Sequence, residues 1–204
     1  MTLCRSVAML ISLVLVPLTV AAAPPPEPTV EYSADSTMET EGGMTMKSRV
    51  YHTPTKQRME MGGADGSVTI IRKDKKVVWQ VMGDMYMEMP LDQSNAPDMG
   101  GFDIQEQTEV GEETINGLKT TKTKIIATRP DGAKFGGFFW TTKEGVTVKM
   151  DLLSKEGDKK MRMASELTNV KIEKQNPALF EVPAGATKND MGAMMGQGGM
   201  PNME

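Results

Sequence analysis

This chain has one cysteine, Cys4, and one histidine, His52, and only 5% of its 204 residues are aromatic. Each scarcity excludes something. Cys4 lies upstream of the apolar run 7–20, whereas lipid attachment needs a cysteine just after such a run, so the sequence reads as a free protein. Without the leader no cysteine remains, which removes disulfides, thiol nucleophiles and thiolate metal sites. A single histidine supports no Ser-His-Asp arrangement, and no serine sits in a G-x-S-x-G elbow. His52, next to Tyr51 at a strand end, reads as an exposed turn residue. Gly62-Gly63 and Gly136-Gly137 are not followed by the helix and lysine of a phosphate loop. Glu112 and Glu113 fall on opposite strand faces and make a poor acid–base pair. Enzymatic function is therefore the least favoured class, and no catalytic residue is assigned.

Long apolar runs are also missing, with one exception. Arg5, the run 7–20 and the small residues Ala21 to Ala23 form a signal peptide, residues 1–22, cut after Ala22. Its apolar stretch is too short for an ordinary transmembrane helix. The mature protein is expected to be periplasmic, with no transmembrane segment. Removing Arg5 leaves 22 basic against 27 acidic side chains, a net charge of −5. That balance excludes nucleic acid and electrostatic docking on an anionic membrane. With few aromatics, Met, Val, Ile and Leu must build the core.

What the chain has in abundance is methionine, 20 residues of it, recurring at every second position. Met44 and Met46, Met59 and Met61, Met85, Met87 and Met89, and Met161 and Met163 follow this spacing. Alternate residues on a strand share a face, so each group lays its thioethers on one surface.

The rest of the mature chain is β in pattern from Thr29 onward. Residues 23–28 (APPPEP) read as a stiff spacer. Gly83-Asp84 marks a hairpin with a type II′ turn, and Asn116-Gly117 one with a type I′ turn. The first pairs Met82 with Met85, Gln80 with Met87 and Val78 with Met89. Its other face carries Val77, Trp79, Val81 and Tyr86. Being apolar on both sides, this hairpin is expected at the centre of the sheet. Residues 102–110 fit a short helix or a strand. About ten strands result, at the spacing of an all-β sandwich or barrel. With no amphipathic helix to cover the apolar face, the sheet must pair or curl, and a curled sheet tends to enclose a cavity. The domain spans 29–185. Residues 186–204, rich in Gly, Met, Asn and Gln, read as a disordered tail.

The stretch NPALFEVPAGATK at 176–188, with Pro177, Phe180, Val182, Pro183 and Gly185, resembles the closing motif of LolA-like lipoprotein carriers. RMEM at 58–61, YMEMP at 86–90, GEETINGLKTTK at 111–122 and the W-T-x-x-x-G-V stretch at 140–146 resemble a bacterial domain family of unknown function in that superfamily. The resemblance implies a mainly β fold: one strongly curved antiparallel sheet forming an incomplete barrel, with few short helices. In such carriers the concave face receives acyl chains. They usually place a helix before the first strand and further helices as a lid. Here Thr29 to Glu39 reads as strand, and only 91–110 is left to supply a lid.

Three readings of the methionines stay open. They fill the core. Or they line a face for a lipid, acyl chain or other apolar ligand, since Met is flexible and polarizable; the candidate residues are Met44, Met46, Met59, Met61, Met85, Met87, Met89, Val148, Met150, Met161 and Met163. Or thioethers, soft ligands that select Cu(I), hold copper, with Met191, Met194, Met195, Met200 and Met203 of the tail as candidates. The ligand reading needs no cofactor. A scaffold that meets an envelope protein partner is a further alternative.

Overall fold

The structure is a computed structural model that describes residues 25–63, 66–94, 103–129, 132–156 and 159–189. Twelve strands form one sheet: β1 Tyr32–Thr40, β2 Thr45–Thr53, β3 Lys56–Met61, β4 Val68–Arg72, β5 Val77–Met82, β6 Met85–Pro90, β7 Asp103–Ile115, β8 Leu118–Thr128, β9 Lys134–Thr141, β10 Thr147–Glu156, β11 Lys159–Ile172 and β12 Thr187–Lys188. Their order is β12-β6-β5-β4-β3-β2-β1-β11-β10-β9-β8-β7. Every pairing is antiparallel except β12 on β6. β6 with β12 forms one edge and β7 the other, and the two do not pair. The sheet curls, because Ile115 and Leu118 of the β7–β8 edge hairpin pack against a cluster of Tyr32, Ala34, Val50, Val148 and Leu167 from the sheet's middle. The result is an incomplete barrel.

The turn chemistry fixes the registers. Gly83 has φ +59° and Met82 faces Met85, as a type II′ turn requires. Asn116 and Gly117 both have positive φ, and Ile115 faces Leu118. Residues 103–110 belong to strand β7, so they supply no lid helix; two bulges and a glutamate-rich sequence had blurred the alternation. Leu91–Gln93 and Pro177–Phe180 are single 3₁₀ turns.

One expectation is reversed. The β5–β6 hairpin lies beside an edge, not at the centre. Its second apolar face is covered by the chain's own closing segment, not by neighbouring strands. Phe180, 1% exposed, inserts among Ile70, Trp79 and Val81 on the outer side, with Leu179 and Val182 around it. The buried guanidinium of Arg72 holds this segment. It donates to the Phe180 carbonyl (2.9 Å) and to Glu181 (2.5 Å), pairs with both oxygens of Asp74, and stacks on Trp79. These bonds pull the Asp74 carboxyl down to about 2. The motif that carried the family resemblance is thus a clasp on the back of the sheet.

The strands begin and end at two distinct rims. Around one rim lie the start of β1, the β2–β3, β4–β5 and β9–β10 turns, and the end of β11. Residues 27–31 are strapped across it. Glu27 pairs with Lys73 of the β4–β5 turn (2.6 Å), and Thr29 N–H donates to the Glu144 carbonyl of the β9–β10 turn (3.0 Å). Glu31 accepts from the Gln175 N–H (2.6 Å). Gly145, at φ +86°, is required here, since a Cβ would stand 2.5 Å from the Glu27 carbonyl oxygen. This rim is capped. The opposite rim carries the β1–β2, β3–β4 and β5–β6 turns.

Candidate functional site

Strand alternation and register together decide which side chains line the inner face. β1 contributes Tyr32, Ala34, Ser36 and Met38; β2, Met46, Ser48, Val50 and His52. Through the successive pairings the same face holds Met59 and Met61 on β3, Thr69 and Ile71 on β4, Val78, Gln80 and Met82 on β5, and Met85, Met87 and Met89 on β6. On the other side of β1 it holds Met161, Met163 and Leu167 on β11, Val148, Met150 and Leu152 on β10, and Phe135 and Phe139 on β9. Met44, whose carbonyl accepts from the Thr40 N–H, continues the β2 row at the rim. All eleven residues singled out from the sequence therefore lie on one face. Met38, Met82, Phe135, Phe139 and Leu152 share it as well; only Met38, between Thr37 and Glu39, shows a clear alternation with polar neighbours. The tail methionines Met191, Met194, Met195, Met200 and Met203 lie outside the described residues.

The two halves of this face differ. Under β7–β11 a tight cluster of Ile125, Ala127, Phe135, Phe139 and Leu152 is buried, with Met150 and Met163 packed on it. Under β3–β6 half-open thioether, amide and hydroxyl groups lie beside the buried Ile71 and Val78. None of the described methionines is buried. Met38, Met46, Met59, Met61, Met87, Met150 and Met163 are half-buried, and Met44, Met82, Met85, Met89 and Met161 are exposed. The buried core is built from Val, Ile, Leu, Ala and aromatic residues instead. Core filling thus accounts for only part of the set, Met59, Met150 and Met163, which pack against the buried clusters. The others border the core and face outward from it into the concavity.

His52 departs from expectation. It is buried, stacked on the Tyr32 ring at 5.0 Å between centroids, and its Nδ1 has no hydrogen-bond partner. The residues strapped across the capped rim cover it, and the Val30 carbonyl accepts from its ring. Burial holds its pKa below the ordinary value and pushes that of Tyr32 up to about 12. The residue packs the end of the barrel.

Beyond the Phe180 cluster the outer face is largely polar, and many of its charges are paired. Arg162 binds Asp151 through both oxygens and Arg49 binds Asp35. Trp140 Nε1 donates to Glu113 (2.7 Å) while the ammonium groups of Lys122 and Lys149 sit over its ring. Hydrogen bonds from Arg162 hold Asp151 below the usual carboxylate range; Lys122 and Trp140 do the same for Glu113. Among the described residues, every carboxylate with a displaced pKa is displaced downward. Ionised, hydrogen-bonded carboxylates are acceptors and ion-pair partners, poorly suited to donate protons. Two shallow recesses on this side, about 470 and 360 Å³, are lined by Glu39, Asp151, Arg162 and neighbouring polar groups. They are open, polar and internally paired, so the apolar concavity is the better candidate site. Among the described residues no group of three or more His, Cys, Asp and Glu could hold a metal ion, and no helix is long and apolar enough to cross a membrane.

No protein-family model and no curated protein matches the chain. Solved structures do. A crystal structure of MucB is similar with a TM-score of 0.53 and 11% identity, over 79% of this chain and 60% of that one. The complex of MucA and MucB from Pseudomonas aeruginosa gives 0.50 and 11%, over 77% of this chain and 57% of that one. The chain thus spans less than two thirds of the length of these MucB chains. A putative outer membrane lipoprotein-sorting protein domain from Vibrio parahaemolyticus is more distant, with a TM-score of 0.38 and 8% identity, over 74% of this chain and 89% of that one. At such identities what is shared is the fold, and the fold of this chain is an open, curved half-barrel.

Proposed function

We propose that this protein is a non-enzymatic, exported binder of a lipid, acyl chain or similarly apolar molecule, held on the concave face of its sheet. One observation carries the reading: a row of methionines on that face, Met44, Met46, Met61, Met82, Met85, Met87, Met89 and Met161, stays half-buried or exposed. Exposed apolar area is a cost in water, about 25 cal/mol per Å². A surface that keeps a row of thioethers half open gains that energy back when an apolar ligand covers it. Met suits ligands of varied shape because its side chain is unbranched and polarizable. The Thr69 and Gln80 side chains, bonded to each other at 2.8 Å, give the pocket a small satisfied polar spot amid the thioethers. The candidate contacts are Met46, Met59, Met61, Met87, Met150 and Met163, with the exposed Met44, Met85, Met89 and Met161 and the buried Val148 completing the face.

Native mass spectrometry of protein purified without detergent tests this, together with titration of a dansylated fatty acid. A co-purifying apolar mass, or saturable probe binding displaced by phospholipid, is the expected result. A clean apo mass with no saturable binding overturns it.

A second reading is that the concavity takes an apolar segment of an envelope protein. It is favoured by the likeness to MucB, one of whose structures is a complex with MucA. Capture from envelope extract, repeated with saturating fatty acid, separates the readings: a protein competed off by fatty acid occupies the same face.

A further inference from the structure

We propose that Met82, Met85 and Met87, at the tip of the β5–β6 hairpin, form a site for a soft monovalent metal ion, Cu(I). Met82 and Met85 stand directly opposite each other in the register, and Met87 follows Met85 on the same face. Directly opposed residues have Cβ atoms about 4.5–5.5 Å apart, and diagonal ones about 7–8 Å, within reach of long side chains. Three flexible thioethers can therefore converge on one ion.

The tip is braced by its neighbours. Gly83, at φ +59°, fixes the turn. On the far side β12 clamps β6: Thr187 pairs with Met85, Lys188 with Tyr86, and the Thr187 N–H donates to the Asp84 carbonyl (2.8 Å). The donors are also accessible, Met82 at 43% and Met85 at 47% exposure. Hydrophobic packing does not explain such placement, because exposed thioethers at a turn bury little area.

The donor set selects the ion. Thioether sulfur is soft and uncharged, and favours Cu(I) over Mg²⁺, Ca²⁺ or Mn²⁺, which take carboxylate and carbonyl oxygen. The nearest paired carboxylate on these strands, Glu88, lies on the other face, engaged by Trp79 Nε1 and Lys188. The site shares Met85 and Met87 with the apolar-ligand face but rests on their sulfur donors rather than on their apolar area.

Leucine keeps the apolar surface and volume but removes the sulfur, so the test is the triple variant M82L/M85L/M87L in the full mature chain. Cu(I) is titrated anaerobically against a chromophoric bicinchoninate competitor, and X-ray absorption reports the donor atoms. The wild type is expected to compete for copper with sulfur scatterers alone, and the triple variant to lose roughly tenfold or more in affinity, at least the loss typical of disturbing a metal's outer shell. M46L/M161L serves as control and keeps wild-type affinity. Unchanged copper binding in the triple variant overturns the site and transfers it to thioethers elsewhere. So does a wild type that binds no better than a methionine-poor protein. Binding of the dansylated fatty acid is read on the wild type alone, so failure of copper binding and failure of ligand binding are read separately.

Discussion

Gly137 of β9 lies so close to Asp151 of β10 that a Cβ added to it would stand 2.0 Å from the Asp151 carbonyl oxygen and 2.9 Å from the Leu152 Cα. Backbone, not a movable side chain, is the obstacle. A glycine inside a strand often marks a tight bend or close backbone approach, and here it lets the sheet coil. Gly137→Ala is expected to destabilise the domain by about 3 kcal/mol, the upper range for forced overpacking. The neighbouring Gly136→Ala, whose Cβ would meet the Ile125 carbonyl at an ordinary 3.4 Å, is expected to be neutral or to stabilise by up to about 1 kcal/mol. Urea unfolding of both variants checks the contrast.

The closing clasp makes a second prediction. Phe180→Ala empties a fully buried position and is expected to cost about 3–5 kcal/mol. Trp79, in the same cluster, should gain water and shift its fluorescence to the red, while Trp140, on the other half of the sheet, should not. A quench-free, unshifted spectrum in a Phe180→Ala, Trp140→Phe background would show that the clasp does not depend on this side chain.

The third concerns pH. Burial first, and Lys73 next among the lowering influences, hold His52 below its ordinary pKa, against the Val30 carbonyl and Glu27, which favour the proton. Its ring is covered by Tyr32 and the residues strapped across the rim. The unfolded chain therefore binds this proton more readily than the folded one. Stability from the site is complete above about pH 6.5 and falls below it, by at most about 1.4 kcal/mol per pH unit. The depressed carboxylates Asp35, Asp74, Glu88, Glu113 and Asp151 lose their contribution only as pH falls below their ordinary values of 3.8 and 4.5. The interval between about pH 6.5 and 4.5 thus reports His52. Thermal melts across it should show a slope that His52→Gln flattens, and hydrogen exchange should place the first loosening at residues 27–31.

A fourth prediction addresses the concavity. Met61→Lys places an ammonium group on the inner face at a half-buried position away from the tight cluster under β7–β11. It is expected to cost about 1 kcal/mol or less in folding stability, because a long lysine can carry its head group to water. Affinity for the dansylated fatty acid's chain should fall roughly tenfold or more, because the bound ligand would desolvate the charge. Titration of the variant at matched folded fraction checks both halves.

Much of this architecture was legible in the residues. Gly83-Asp84 and Asn116-Gly117 dictated their turns, and the turns dictated which methionines face one another. Period-two alternation put the eleven candidate positions on a common face, since register carries a face from strand to strand. What escaped was tertiary. The β5–β6 hairpin is apolar on both sides because a segment about a hundred residues later packs behind it, and no local pattern announces that. His52 sits at a strand end, a place that suggests solvent, but the residues before β1 fold back over it. β7 hid among glutamates because an edge strand that faces water needs little apolar alternation.

A closed barrel has its diameter set by strand number and shear. This sheet has a seam, with β7 and β6 unpaired across it. Its radius can change by a small adjustment of coil at each of the successive strand pairs, and no ladder hydrogen bond need break. The strap at the capped rim, from the β4–β5 turn to the β9–β10 turn, limits that change at one end only. The domain is thus tied together at the end where Tyr32 and His52 stack, and its strands are held to one another elsewhere chiefly by their ladders.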